Sequence, residues 1–323
     1  MTDKALIQSI CDSPVTRHQF GRFQFFLKRD ELLHPEFSGN KARKFMSLLT
    51  GNYRHIKTIT SYGSPQANSL YSLAALAQIK GWRLEYYVDH IPEFMQQNPT
   101  GNYRAALGLG AKIIATNNEA HGFLRPEDYI HRYLPPRDDT LIIPEGGRCE
   151  LARDGVSALA YELLAWIKEN QIRSPVIALP SGTGTTALYL HQIMKMYHIP
   201  VITCACVGGK DYLIQQFLSL QADSYPTMLE LPKKHHFGKL YQENYHIWMQ
   251  LYHQTNVEFD LLYDPLMWRC LRQNEAEYSK MNLIYIHQGG IKGNESMLPR
   301  YQRKYPDIDK LAFNQSPALS PDT

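Results

Sequence analysis

Lys41 stands in Phe37-Ser38-Gly39-Asn40-Lys41-Ala42-Arg43-Lys44-Phe45, behind a glycine that allows close backbone approach and an asparagine suited to cap a helix. A lysine so placed is suited to hold a carbonyl cofactor covalently. The plain alternative is that Lys41, Arg43 and Lys44 form a solvated basic patch at a helix start. A second stretch, Ser181-Gly182-Thr183-Gly184-Thr185-Thr186, joins an apolar run to a helical one, where backbone N–H groups and the helix dipole favour an anion. It is neither a Walker A loop, since no GKS or GKT follows, nor GxGxxG. A loop of hydroxyls and glycines without a lysine suits one small, permanently bound phosphate monoester. Together the two stretches point to pyridoxal phosphate, which needs an imine-forming lysine, a phosphate site and a partner for its pyridine nitrogen.

The elements that must position these stretches follow in chain order. Residues 23–30 read as a strand leading into the Lys41 loop, with a helix over about 42–49 behind it. Residues 55–61 alternate as a strand, and Tyr62-Gly63-Ser64-Pro65 turns it into a helix capped by Ser64 that runs to Lys80 and stops at Gly81. A strand over 83–88, a helix over about 100–108 and a strand over 111–115 complete a βαβαβ series, a compact parallel lobe within 50–140. A strand and turn at 141–147, a long amphipathic helix over 152–169, strands over 175–179 and 200–207 and a helix over 187–197 form a second series. Its continuous apolar strands predict a sheet covered on both faces. Helices at about 210–221, 239–253 and 265–279 and a strand over 282–287 follow, and Asn314–Thr323 reads as a loose Ser/Pro-rich tail.

A chain of 323 residues exceeds the roughly 250–300 at which single cores stop growing, which favours two lobes with a cleft between them. The expected division is 1–48 with 141–323 as the large cofactor-binding domain and 49–140 as the small βαβ domain. Lys and Arg total 34 against 31 Asp and Glu, and the resulting +3 gives no electrostatic footprint for nucleic acid. The five cysteines, Cys11, Cys149, Cys204, Cys206 and Cys270, are scattered without a CxxC pair, so neither a disulfide framework nor a metal site is expected. No run approaches the ~20 apolar residues of a membrane span, and Met1–Ser9 carries charges, so a cytoplasmic protein is expected.

From about Phe23 to Gly290 the motifs resemble the family of aminocyclopropane carboxylate deaminases and D-cysteine desulfhydrases, within the tryptophan-synthase-β-like, fold type II pyridoxal phosphate enzymes. The family's Phe-Gly-Gly-Asn-Lys-x-Arg-Lys is matched by Phe37 to Lys44 except at Ser38, and its Gln-Ser-Asn by Gln66-Ala67-Asn68. Its Gly-Asn, Pro-x-Gly-Gly and Gly-Ser/Thr-Gly-Gly-Thr stretches are similar to Gly101-Asn102, Pro144-Glu145-Gly146-Gly147 and Gly182 to Thr186. Its Asp-Pro-Val-Tyr followed by Glu or Thr is similar to Asp260-Leu261-Leu262-Tyr263-Asp264, and its closing His-x-Gly-Gly to His287-Gln288-Gly289-Gly290.

The resemblance implies a two-lobed α/β architecture with the active site in the cleft, and a homodimer. It implies Lys41 and Tyr263 as catalytic, Asn68 facing the cofactor's phenolic oxygen, and Asp264 at the pyridine nitrogen, where a carboxylate keeps the ring protonated. Gln66, Ala67, Asn68, Tyr263 and Gln288 would meet a small amino-acid substrate. Ala67 departs from the family's serine, and a methyl neither donates a hydrogen bond nor transfers a proton. Phe237 replaces a tyrosine in the same way, and Gln288 and Arg148 add polar bulk. The implied activity is elimination giving a 2-oxo acid and ammonia. The alternatives are a protein that binds pyridoxal phosphate or an amino acid without turnover, or another reaction on the same scaffold, since fold does not fix function.

Overall fold

The computed structural model describes residues 12–117 and 124–307. Cys11, the Met1–Ser9 stretch and the tail from Asn314 lie outside the described residues. The strands in chain order are β1 (Val15–Phe20), β2 (Phe23–Arg29), β3 (Thr58–Tyr62), β4 (Arg83–Val88), β5 (Lys112–Ala115), β6 (Thr140–Ile143), β7 (Pro175–Ser181), β8 (Val201–Ala205), β9 (Thr227–Leu229) and β10 (Asn282–His287). They form a six-stranded sheet of order β1-β2-β10-β7-β8-β9 and a four-stranded sheet of order β5-β4-β3-β6. Every pairing is parallel except that of β1 with β2.

The larger sheet is covered on both faces, as its apolar strands predict. Side chains alternate across a strand, so Leu283 and Tyr285 of β10 enter a core with Met267 and Trp268. Ile284 and Ile286 enter the opposite core with Leu159 and Leu188. Burying each such aliphatic side chain contributes about 1.5–3 kcal/mol. Helices Gln242–Thr255 and Asp264–Gln273 supply the first layer, and Ala152–Glu169, Thr185–Met194 and Lys210–Ser219 the second. In the smaller lobe, Ile59, Leu84 and Ile143 pack with Leu73 and Leu76 of helix Asn68–Lys80. Among the described residues no helix is long and apolar enough to cross a membrane.

Several boundaries differ from those expected, each for a local reason. Helix Asn68–Lys80 starts three residues later than the Ser64 cap predicts, because Ser64–Ala67 close a turn of their own. The Ala67 N–H donates to the Ser64 carbonyl at 3.0 Å and the Gln66 N–H to Ser64 Oγ at 3.2 Å. The helix expected over 42–49 is two, Gly39–Lys44 and Met46–Thr50, broken at Phe45. β6 pairs with β3 in the smaller sheet, on the far side of the 140/141 division drawn from the sequence. β1, β9 and helices Glu93–Gln97, Pro126–Tyr133 and Asn294–Lys304 are elements additional to those expected from the sequence. The edge strand β1 is half polar, and Asn294–Lys304 contains Pro299.

The Lys41 segment ties the lobes together. Phe37, Phe45 and Leu48 sit in the smaller core, whereas the Arg43 guanidinium reaches into the larger lobe. There Nη2 and Nε donate to the two Asp30 oxygens at 2.8 and 3.0 Å, and Nη2 also donates to Glu162 Oε2 at 2.8 Å. Lys28 Nζ, buried beside them, completes the network on Glu162 at 2.8 Å. Arg43 is therefore a buried anchor, and the solvated-patch alternative for this stretch is excluded.

Candidate active site

Parallel α/β sheets bind ligands beyond the carboxyl ends of their strands, and here the ends of both sheets converge on one cavity of about 350 Å³. β3 delivers the Ser64–Ser69 turn, β6 Glu145 and Gly146, β7 the Ser181–Thr186 loop, and β10 Gln288 and Gly289. Lys41, Gln66, Ala67, Asn68, Tyr263, Asp264 and Gln288 all line it, as do Gly182, Thr183, Gly184, Thr185 and Thr186. Arg148 does not; its guanidinium turns to Gln216 Oε1 instead.

Lys41 Nζ donates to Asn40 Oδ1 at 3.0 Å, and burial lowers its pKa to about 8 against the opposing pull of Asp260. A lysine amine ordinarily titrates near 10.4, so Lys41 supplies far more free base near neutrality. Its segment is fixed by the β10 exit: the Asn40 N–H donates to the Gln288 carbonyl at 3.0 Å, and Asn40 Nδ2 to Gln288 Oε1 at 3.0 Å. Gly39 passes so near Gln288 that a Cβ would fall 2.0 Å from its carbonyl oxygen, so only glycine fits there. Gln288 Nε2 donates in turn to the Pro180 carbonyl at 2.6 Å, which joins this corner to the Ser181–Thr186 loop.

The loop after β7 opens helix Thr185–Met194 through Gly184, whose φ of 73° is left-handed. Thr183 and Thr185 hydroxyls lie 3.1 Å apart, and Thr186 Oγ1 is buried without a partner. A buried hydroxyl left unpaired is costly, and an anion at this helix start would satisfy it. A loop with no Lys or Arg of its own predicts little help from basic side chains, yet one basic group reaches it. Lys44 Nζ arrives from the Lys41 helix to donate to the Gly146 carbonyl at 2.9 Å and Thr183 Oγ1 at 3.2 Å. Burial first, then the Lys41 charge, holds its pKa well below the usual lysine value, and a phosphate would offset both. The signal was present in the spacing, because residues three apart share a helix face.

Opposite the loop, two carboxyls face each other. Asp264 Oδ1 accepts from the Tyr285 hydroxyl at 2.6 Å and Oδ2 from the Asp260 N–H at 2.9 Å. Asp260 Oδ1 accepts from the Leu262 and Tyr263 N–H groups at 2.6 and 3.1 Å, and Oδ2 from Asn68 Nδ2 at 3.2 Å. Asn102 Nδ2 orients Asn68 by donating to its Oδ1 at 2.7 Å. Burial, reinforced by Asp264, pushes the Asp260 carboxyl up to about 7, and burial raises Asp264 as well. Asp260 is a cavity residue to which the sequence reading gave no role. The Tyr263 ring lies against Phe237 at 5.2 Å between centroids, and burial raises its hydroxyl pKa, keeping it protonated. Of the two serines beside Ala67 at the wall, Ser69 is turned to the Tyr86 hydroxyl at 3.3 Å, and Ser64 Oγ accepts from the Gln66 N–H at 3.2 Å.

The comparisons with known proteins agree with the motif reading. No protein-family model matches the chain. A Thermotoga maritima protein provisionally named 1-aminocyclopropane-1-carboxylate deaminase is 22% identical over 286 residues, covering 84% of this chain and 90% of that protein. A protein of Oryza sativa subsp. japonica, provisionally named D-cysteine desulfhydrase 2, mitochondrial, is 24% identical over 340 residues, covering 88% and 82%. The crystal structure of an ACC deaminase homologue superposes with a TM-score of 0.73 at 17% identity, covering 93% of this chain and 98% of that one. The resemblance read from the motifs thus extends along most of the chain, and the two-lobed α/β architecture is shared.

Proposed function

We propose that the protein is a pyridoxal-phosphate-dependent lyase that acts on a small amino acid by elimination, releasing a 2-oxo acid and ammonia. The observation that carries the reading is one cavity in which a buried lysine of lowered pKa faces an anion cup and a buried carboxylate. The residues fit the cofactor: the unpartnered Thr186 hydroxyl, Thr183, Thr185 and Lys44 would hold its phosphate, and Lys41 its aldehyde. Asn68 would meet its ring hydroxyl and Asp264 its pyridine nitrogen. When bound, pyridoxal phosphate supplies an electron sink for the pair left at the substrate Cα.

The chain's own groups account for the rest. The N-terminus of helix Asn68–Lys80, reached through Gln66 and Ala67, offers N–H groups and a dipole to the substrate carboxylate. Lys41, with a pKa of about 8, is suited to take the Cα proton near neutral pH. The Tyr263 hydroxyl, held protonated by burial, can return a proton to the departing group. With alanine at 67 the serine hydroxyl of that position is missing, which favours substrates with a good β leaving group over the cyclopropane ring. A binding protein without turnover would need neither a base of lowered pKa nor an acid opposite it, and both curated relatives carry enzyme names. The homodimer implied by the resemblance belongs to the same proposal and is read by light scattering.

Borohydride reduction of protein loaded with pyridoxal phosphate, followed by peptide mass mapping, tests the assignment. A pyridoxyl adduct on Lys41 is expected. An adduct on Lys44 or another lysine overturns the role of Lys41, and no adduct at all overturns the cofactor.

A further inference from the structure

One acidic side chain of the cavity has no task in the chemistry just described. Glu145 follows β6 at the start of the Glu145–Gly147 turn and lines the cavity. Its carboxylate lies beside the β3 exit, and the residue after it, Gly146, lies beside Thr183. A Cβ placed on Gly63 would be 3.1 Å from Glu145 Oε1, and one on Gly146 would be 3.0 Å from Thr183 Cγ2. Asp260 and Asp264 spend their oxygens on protein donors. No hydrogen bond or ion pair among the described residues engages the Glu145 side chain. The cations nearby are occupied: Lys44 on Gly146 and Thr183, and Arg148, whose charge Glu145 feels, on Gln216.

The residue is solvent-accessible at the cavity mouth, and partial desolvation there raises the pKa of its carboxyl. Its charge reaches Tyr86, Tyr212 and Tyr263, whose hydroxyl pKa it raises, so it acts on the inside of the cavity. A cation brought in by a ligand would find in it a carboxylate without a protein partner.

We propose that Glu145 sets the specificity of the site by pairing with a positively charged side chain on the substrate, a short amino acid with a protonated amine at or near Cβ. The proposal rests on the lyase reading above. The cavity of about 350 Å³ must hold cofactor and substrate together, which favours a short substrate. The pairing also assists elimination, because an opposite charge keeps the β amine protonated and it leaves as neutral ammonia. For 2,3-diaminopropionate, the Cα–H and Cβ–N bonds break and one water is added across the resulting imine. The products are pyruvate and two ammonia molecules, and no oxidant is required. An acidic side chain would be repelled.

The test is a titration of the protein loaded with pyridoxal phosphate, followed by the absorbance of the bound cofactor. The D and L forms of 2,3-diaminopropionate, serine and aspartate are added to the parent and to Glu145→Gln. Hydrogen-bonded charge pairs lead to an expected preference for diaminopropionate over serine of about ten- to hundredfold in Kd in the parent. In Glu145→Gln the ratio should fall to within about threefold. Equal affinity for serine and diaminopropionate in the parent overturns the proposal whatever the variant does, and so does a preference that survives in Glu145→Gln. If none of the amino acids changes the spectrum, the lyase reading fails and takes this proposal with it. Binding without charge preference leaves the lyase reading standing.

Discussion

Gly184 is the position where the phosphate loop is most exposed to a small perturbation, and Gly81 is its natural control. Both have left-handed backbone, with φ of 73° and 69°, so Ala pays about 1–2 kcal/mol of strain at either. They differ in their surroundings. A Cβ at Gly81 meets nothing within 4 Å, whereas at Gly184 it would fall 2.4 Å from Phe217 Cε1 and 2.5 Å from Leu213 Cδ1. Both neighbours are fully buried under helix Thr185–Met194, so they cannot swing into solvent. Overpacking of this kind costs about 1–3 kcal/mol, and the cheapest relief is to move the loop. Gly184→Ala should therefore destabilise the protein by about 2–5 kcal/mol, against about 1–2 kcal/mol for Gly81→Ala. Misaligning one charge-assisted hydrogen bond to phosphate costs about 1.5–3 kcal/mol, which weakens the Kd for pyridoxal phosphate roughly ten- to 150-fold. Fluorescence quenching on cofactor addition gives the Kd, and denaturant midpoints give stability. Equal Kd values for the two alanine variants would refute the placement of phosphate at this loop.

Three further outcomes are expected. Arg43→Leu should cost about 3–5 kcal/mol, because it leaves Asp30 and Glu162 as buried charges short of a partner, and chemical denaturation reads this; a loss below 1 kcal/mol would count against the anchor. Asp264→Asn keeps acceptable hydrogen bonds to Tyr285 and the Asp260 N–H but removes the charge, so the cofactor should stay bound while Cα–H exchange in heavy water slows by on the order of a hundredfold, the worth of about two pKa units of ring basicity. An unchanged exchange rate removes Asp264 from the mechanism. Finally, uptake of pyridoxal phosphate needs the neutral Lys41 amine, whose fraction grows tenfold per pH unit until the pKa is reached. Because burial lowers that pKa, the uptake rate should level off near pH 8, and a rate still climbing to pH 10 contradicts the lowered value.

The sequence alone determined the features that depend on local periodicity and on residue chemistry. The continuous apolar runs of β7, β8 and β10 announced a sheet buried on both faces, and β4 and helix Ala152–Glu169 have the limits their periodicity gives. Lys41 and the Ser181–Thr186 loop declared themselves by type and by their place at helix starts. Tertiary structure alone decided what depends on segments far apart in the chain. Lys44 reaches Thr183 across 139 residues, and Asn68 reaches Asp260 across 192. Arg43 reads as a surface charge until Asp30 and Glu162 enclose it, and β6 reads as part of the larger lobe until it pairs with β3. The same holds for the helix start at Asn68, which moved because Ser64 spends its side chain and carbonyl on a turn before Ala67. Glu145 gives no signal within its own segment. Its free carboxylate matters only because three distant strand ends bring a cavity up to it, a juxtaposition that no local pattern encodes.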